Sequence, residues 1–172
     1  MRLTTALFAL TFVAAGALAA DLPTLKSGAW EVTRSSPGDT SGKRHLTTMC
    51  LDESVQAQMR DFGMGMAKDM CTKNDTRVEG SRVLSSATCK MGATTLNTES
   101  VMTFAPTSYH TEISATYDPP MANLRESKTV LDGKWIGPCK AGQQPGDMTL
   151  ETGQTLNMRS MMQQPPAAPA KK

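Results

Sequence analysis

Three sets of side chains in this 172-residue chain have chemistry to offer: four cysteines, a run of methionines and two histidines. Cys50, Cys71, Cys89 and Cys139 stand 21, 18 and 50 residues apart. None of these gaps is the C-x₂-C knuckle on which zinc sites and thiol redox pairs are built. An even set without a knuckle reads as two disulfides, for which three connectivities exist. The preferred pairing, Cys50–Cys71 with Cys89–Cys139, closes local loops and ties the last strand to a middle one. Met59, Met64, Met66 and Met70 crowd one short stretch. Thioethers are soft donors that select Cu(I), yet they also fill irregular core gaps well. Packing is the preferred reading, and a Cu(I) site on these four methionines is the alternative; no metal ligand set is assigned. His45 and His110 both fall on the polar side of predicted strands, and only His110 has a carboxylate, Glu112, beside it. Nucleophilic catalysis needs a nucleophile and an orienting group as well, and the chain has no G-x-S-x-G, H-E-x-x-H or glycine-rich phosphate loop. No catalytic residue and no cofactor are expected; a hydrolase with an unrecognised site stays as a further alternative.

The elements that must hold these residues read as mainly β. Trp30 and Val32 alternate with Glu31 and Thr33, and Leu46, Thr48 and Cys50 alternate with His45, Thr47 and Met49. One hairpin is specified twice over. Pairing Phe104 with Tyr109 across Ala105-Pro106-Thr107-Ser108 sets Met102 by Thr111, Ser100 by Ile113 and Leu96 by Tyr117, all on one face. Arg82 to Cys89 reads as a strand after a turn at Gly80. Asn123 to Leu131 follows the Asp118-Pro119-Pro120 break as an edge or two-sided strand. Gly146–Leu150 and Gln154–Met158 flank Thr152-Gly153 as a terminal hairpin. An antiparallel meander forming a curved sheet, small barrel or sandwich follows. One short helical insertion interrupts it. Val55, Met59, Phe62, Met66 and Met70 recur at i, i+4, i+7, i+11 and i+15, one helical face, with Asp52 as cap. A continuous helix over this stretch would hold Cys50 and Cys71 roughly 27 Å apart, so the preferred bridge requires the helix to break at Gly63.

Length and composition bound the rest. Residues 1–20, with Arg2 ahead of an apolar run from Leu7 to Leu18 and small residues at the cut, read as a secretory signal. Residues 21–160 form one domain, and residues 161–172, rich in Pro, Ala and Gln, form a disordered tail. Aromatics make up only 5 % of the chain, so the core is thin and the staples count. The net charge of +2 comes with scattered Lys and Arg, which argues against a nucleic-acid partner. No second apolar stretch is long enough for a membrane span. Glycine beside tryptophan at Gly28-Ala29-Trp30 and Trp135-Ile136-Gly137 places the first and last strands together, each ring closing one end of the core.

These motifs carry a resemblance. G-x-W-E-V after the signal, a Cys before a helix and another after it, a third ending a strand, W-I-G-x-C and P-G-D-M resemble domain-of-unknown-function family 3617. The likeness covers Leu22 to Met158. It implies an exported, periplasmic, β-rich, disulfide-bonded protein of Gram-negative bacteria and lends no catalytic residues. The function expected is a non-enzymatic periplasmic module that binds an envelope protein or a small apolar molecule. Trp30, Phe62, Met102, Tyr117 and Trp135 are the candidate pocket.

Overall fold

A computed structural model describes residues 22–36 and 44–163; the expected signal and everything from Gln164 onward lie outside them. In chain order the elements are β1 (Gly28–Ser35), β2 (His45–Leu51), α1 (Glu53–Met70), β3 (Cys71–Glu79), β4 (Arg82–Met91), β5 (Thr94–Ala105), β6 (Ser108–Met121), β7 (Leu124–Gly137), β8 (Asp147–Leu150), β9 (Thr155–Asn157) and α2 (Met158–Gln163). The nine strands make one open sheet in the order β3-β4-β5-β6-β7-β1-β2-β8-β9. Every adjacent pair is antiparallel. Strands β3 to β7 are a plain meander, and β1 joins it by pairing with β7 on one side and β2 on the other.

The hairpin specified by its alternation forms in the expected register. Phe104 pairs with Tyr109, Met102 with Thr111, Ser100 with Ile113 and Leu96 with Tyr117. Thr149 pairs with Thr155 in the terminal hairpin. Three local expectations are corrected. The strand over 123–131 is no edge: β7 lies between β6 and β1, and its Glu126 and Lys128 point to water from an interior strand whose outer face is solvated. The Asp118-Pro119-Pro120 stretch does not end β6, which absorbs it as a register shift between Thr116 and Met121. Met161 to Gln163, expected as tail, are helical in α2.

The larger correction concerns the helix and the bridges. Helix α1 runs unbroken through Gly63 and Gly65. Asp52 caps it by accepting from the Val55 amide at 2.7 Å, and Glu53 sits in its first turn, where a carboxylate favours the helix dipole. At 1.5 Å per residue its eighteen residues span about 27 Å, which carries Cys71 far from Cys50. The disulfides are therefore Cys50–Cys139 and Cys71–Cys89, not the local pairing preferred from the sequence. Cys71 faces Cys89 directly in the β3–β4 ladder.

The same helix dictates the shape of the sheet. It leaves β2 at Leu51 and enters β3 at Cys71, the seventh and first strands in the order. Six strand spacings of about 4.8 Å separate them laterally. Traced through the registers, Leu51 lies level with the Gly137 end of β7 and Cys71 with Arg125, about 40 Å along the strands at 3.4 Å per residue. On a flat sheet those points would lie about 50 Å apart. A 27 Å helix joins them only because the sheet curls, and α1 closes the curl as a chord.

Both ends of α1 are held. At its start Val55, fully buried, packs with Trp30 and Leu51, and Leu25, Met49, Tyr109, Trp135 and Met158 close around them. At its far end it runs directly into β3, beside β4, with no side chain of its last turns fully buried. The seam between β1 and β7 sets Trp30 opposite Trp135. The first and last long strands thus meet, but the two rings lie side by side at one end of the core rather than closing opposite ends.

Candidate functional site

Alternation along each strand divides the sheet into two faces. The face under α1 carries Trp30, Trp135, Tyr109, Ile113, Tyr117, Met102 and Leu96, as the registers require. Its Trp30 end is built for permanence. The Trp30 ring is fully buried and donates Nε1–H to the Lys26 carbonyl at 2.8 Å. Tyr109 leans on it with ring centroids 5.8 Å apart. Burial, with the nearby Asp132 charge, pushes the Tyr109 phenol up to about 12. Trp135 donates to the Ser27 carbonyl at 3.1 Å and lies under the Lys26 ammonium, 3.6 Å from the ring centroid, a cation–π contact. Gln56 clamps the segment before β1, accepting from the Leu25 amide at 2.7 Å and donating to its carbonyl at 2.9 Å.

The five residues expected to form a pocket are therefore split. Trp30 and Trp135 are core. Tyr117 lies eight residues along β6 from Tyr109, about 27 Å away at 3.4 Å per residue, where its hydroxyl meets Ser127 Oγ at 3.0 Å. Met102 lies on the same face two registers from Phe104, and Phe62 stands on α1, 45 % exposed.

What the structure does bring together is a hollow. Residues at i, i+4, i+7 and i+11 share one side of a helix. Val55, on that side, is pressed onto the sheet, yet Met59, Phe62 and Met66, next in the same stripe, are 38 %, 45 % and 46 % exposed. The chord stands clear of the curl at its middle. Beneath it, the half-buried side chains of β5, β6 and β7 form the floor. Separately, a cavity of about 620 Å³ on β6 and β7, with no α1 residue in its lining, is bordered by Ala115, Tyr117, Glu126, Ser127, Lys128 and Thr129, with Arg34 at its side. The stripe itself was legible in the sequence; Ser127 and Thr129 were not, because hydroxylic strand residues give no periodic signal distinct from a solvated face.

The other chemistry falls away from this hollow. Met64 is about 140° around the helix from Met59 at 100° per residue, so the four methionines of the alternative Cu(I) reading do not all share one side of the helix. Among the described residues no group of three His, Cys, Asp or Glu side chains is placed to hold a metal ion. His45 contacts Glu151 at 3.2 Å on the surface. His110 is on the outer face, its Nδ1 2.7 Å from Asp132 and its Nε2 3.3 Å from Glu112. The Asp132 carboxylate first, and Glu112 second, raise its pKa above the usual histidine value. A carboxylate against each nitrogen favours the protonated ring over the neutral one.

The comparisons agree with the architecture and add no activity. The model of the family described as "Protein of unknown function (DUF3617)" matches residues 25–139, from the Gln56-clamped segment to the cysteine that bridges to Cys50. The match stops short of β8, β9 and the P-G-D-M segment. No curated protein and no solved structure is similar enough to match.

Proposed function

The chain belongs to the DUF3617 family, and we propose that it is a non-enzymatic binding module that holds a small apolar molecule in the hollow between α1 and the sheet. One observation carries this reading: a stripe whose first member, Val55, is fully buried leaves Met59, Phe62 and Met66 exposed although both helix ends are held. A stripe of exposed apolar side chains on one helix face offers the surface an apolar guest requires. The stripe faces the sheet rather than away from it, which favours a small molecule over an envelope protein as the occupant. Thioethers on unbranched, flexible side chains adapt to guests of varied shape. The two disulfides and the signal-like first twenty residues support a periplasmic location, where disulfides persist. No helix among the described residues is long and apolar enough to cross a membrane.

Titration of the oxidised protein with an environment-sensitive fluorescent fatty acid tests the reading. Saturable binding is expected, weakened at least tenfold by Phe62→Asp or Met66→Asp with little change in melting temperature, because both side chains are exposed. Absence of saturable binding, or binding indifferent to both substitutions, would overturn it. Subcellular fractionation checks the location: recovery in the cytoplasm with free thiols would contradict it.

A further inference from the structure

The sheet has one short edge and one long one. Strand β9 presents only Thr155–Asn157, whereas β3 presents Cys71–Glu79 and, among the described residues, has a neighbour on one side only, β4. Residues 72–77 are all exposed. A strand with a single neighbour keeps a row of backbone N–H and C=O groups free to pair. The side chains of this edge are ordered in charge. Lys73, Asp75, Arg77 and Glu79 stand at every second position, so all four project from one face. That face is turned away from α1, because Val78, between two of them, pairs with Val83 and through it with Met102 on the α1 side. Across β4 only one of the four meets a charge: Glu79 lies opposite Arg82, but Lys73 lies opposite Thr88, Asp75 opposite Ser86 and Arg77 opposite Leu84. Within the strand, Arg77 Nε reaches Glu79 Oε1 at 3.4 Å in an exposed contact.

We propose that β3 is the interface of a symmetric dimer, in which the edges of two copies of this chain pair antiparallel about a two-fold axis at Thr76. With Thr76 opposite its own counterpart, Lys73 of one copy faces Glu79 of the other and Asp75 faces Arg77. The symmetry repeats each pair, so every charge on the edge meets its opposite. The match belongs to this register alone. Centred one residue earlier, Asp75 faces Asp75 and Lys73 faces Arg77. Centred one residue later, Arg77 faces Arg77 and Asp75 faces Glu79. Both arrangements set like charges directly opposite, which is destabilising. A further shift shortens the ladder and leaves two of the four charges unmatched. Charged side chains are a common means of blunting a sheet edge, and four of one sign would do so here. A strict alternation that reads as its own complement when reversed does the opposite. A two-fold axis normal to the sheet keeps its faces continuous, so both copies of α1, each with its hollow, lie on the same side of one long sheet. The ladder, Lys73–Glu79 on each strand, is short and polar, which belongs with weak, exchanging interfaces.

Sedimentation velocity over a concentration series of the oxidised protein tests this. A reversible monomer–dimer equilibrium at micromolar concentration is expected, shifted toward monomer by high salt. Asp75→Lys sets a cation against Arg77 of the other copy, and Arg77→Asp sets an acid against Asp75, so each variant alone should dimerise at least tenfold more weakly. Mixed in equal amounts the two should recover the dimer, because the substituted side chains then face each other. Both positions are exposed, and an unchanged melting temperature at dilution shows that each variant is folded. The outer pair repeats the design: Lys73→Glu and Glu79→Lys, each repelling its own copy, should also dimerise only together. Wild-type protein that stays monomeric up to millimolar concentration, a dimer indifferent to these substitutions, or folded variants whose mixtures gain nothing over either alone would overturn the proposal.

Discussion

Gly133 carries no side chain because the Tyr109 ring occupies the place where one would go. The glycine sits opposite Tyr109 in the β6–β7 ladder, and its bare backbone is the surface on which the ring lies while it leans on Trp30. A methyl group there must push Tyr109 away from Trp30. Gly133→Ala is expected to destabilise by about 1–3 kcal/mol, the usual cost of overpacking, as read by urea denaturation. The near-ultraviolet circular dichroism of the displaced aromatic pair should change with it. Gly28 is constrained on the same seam, with φ at +136° and the Gly137 carbonyl and Trp135 indole where a Cβ would be. Sequence reading placed Tyr109 on the correct face through its pairing with Phe104 but gave no hint of Gly133. A lone glycine 24 residues further on carries no periodicity; only the β6–β7 register brings it under the ring.

Among the elements, α1 departs most from expectation. Its stripe and cap were legible, because an apolar face at helical spacing and an N-terminal aspartate are local signals. Its continuity was not, because two glycines and two flanking cysteines invited a local bridge. The helix tolerates the glycines since its ends are fixed, by packing at Trp30 and Leu51 on one side and by running directly into β3, beside β4, on the other. A Cβ at Gly63 or Gly65 would meet nothing within 4 Å. Replacing both with alanine should therefore stabilise the protein by up to about 2 kcal/mol, the sum of two propensity gains, with both disulfides still oxidised. Thermal melting with a thiol assay checks this, and a fall in melting temperature would mean that the chord needs to bend.

Across the whole molecule, the two staples differ in reach. Cys50–Cys139 closes 89 residues of chain and Cys71–Cys89 only 18. In the chain-entropy picture the longer loop stabilises by about 1.4 kcal/mol more, so Cys50→Ala with Cys139→Ala should cost more than Cys71→Ala with Cys89→Ala in denaturant midpoint. The local staple only reinforces a hairpin whose ladder already pairs its two residues. The meander was readable from alternation, strand by strand. The seam was readable only as two Gly-Trp frames, since pairing strands a hundred residues apart leaves no spacing rule in the chain. One consequence of the packing around the first turn of α1 concerns how the protein can be cut and joined. Leu25 is tied there through Gln56 and Arg159 through Asp52, so residues near either limit of the described chain converge on a single spot. Between Leu25 and Arg159 the described chain thus returns to its start. Linked across that spot and reopened at the β3–β4 turn around Gly80, which lies at the opposite end of β3 from α1, it would give a circular permutant with every strand neighbour intact.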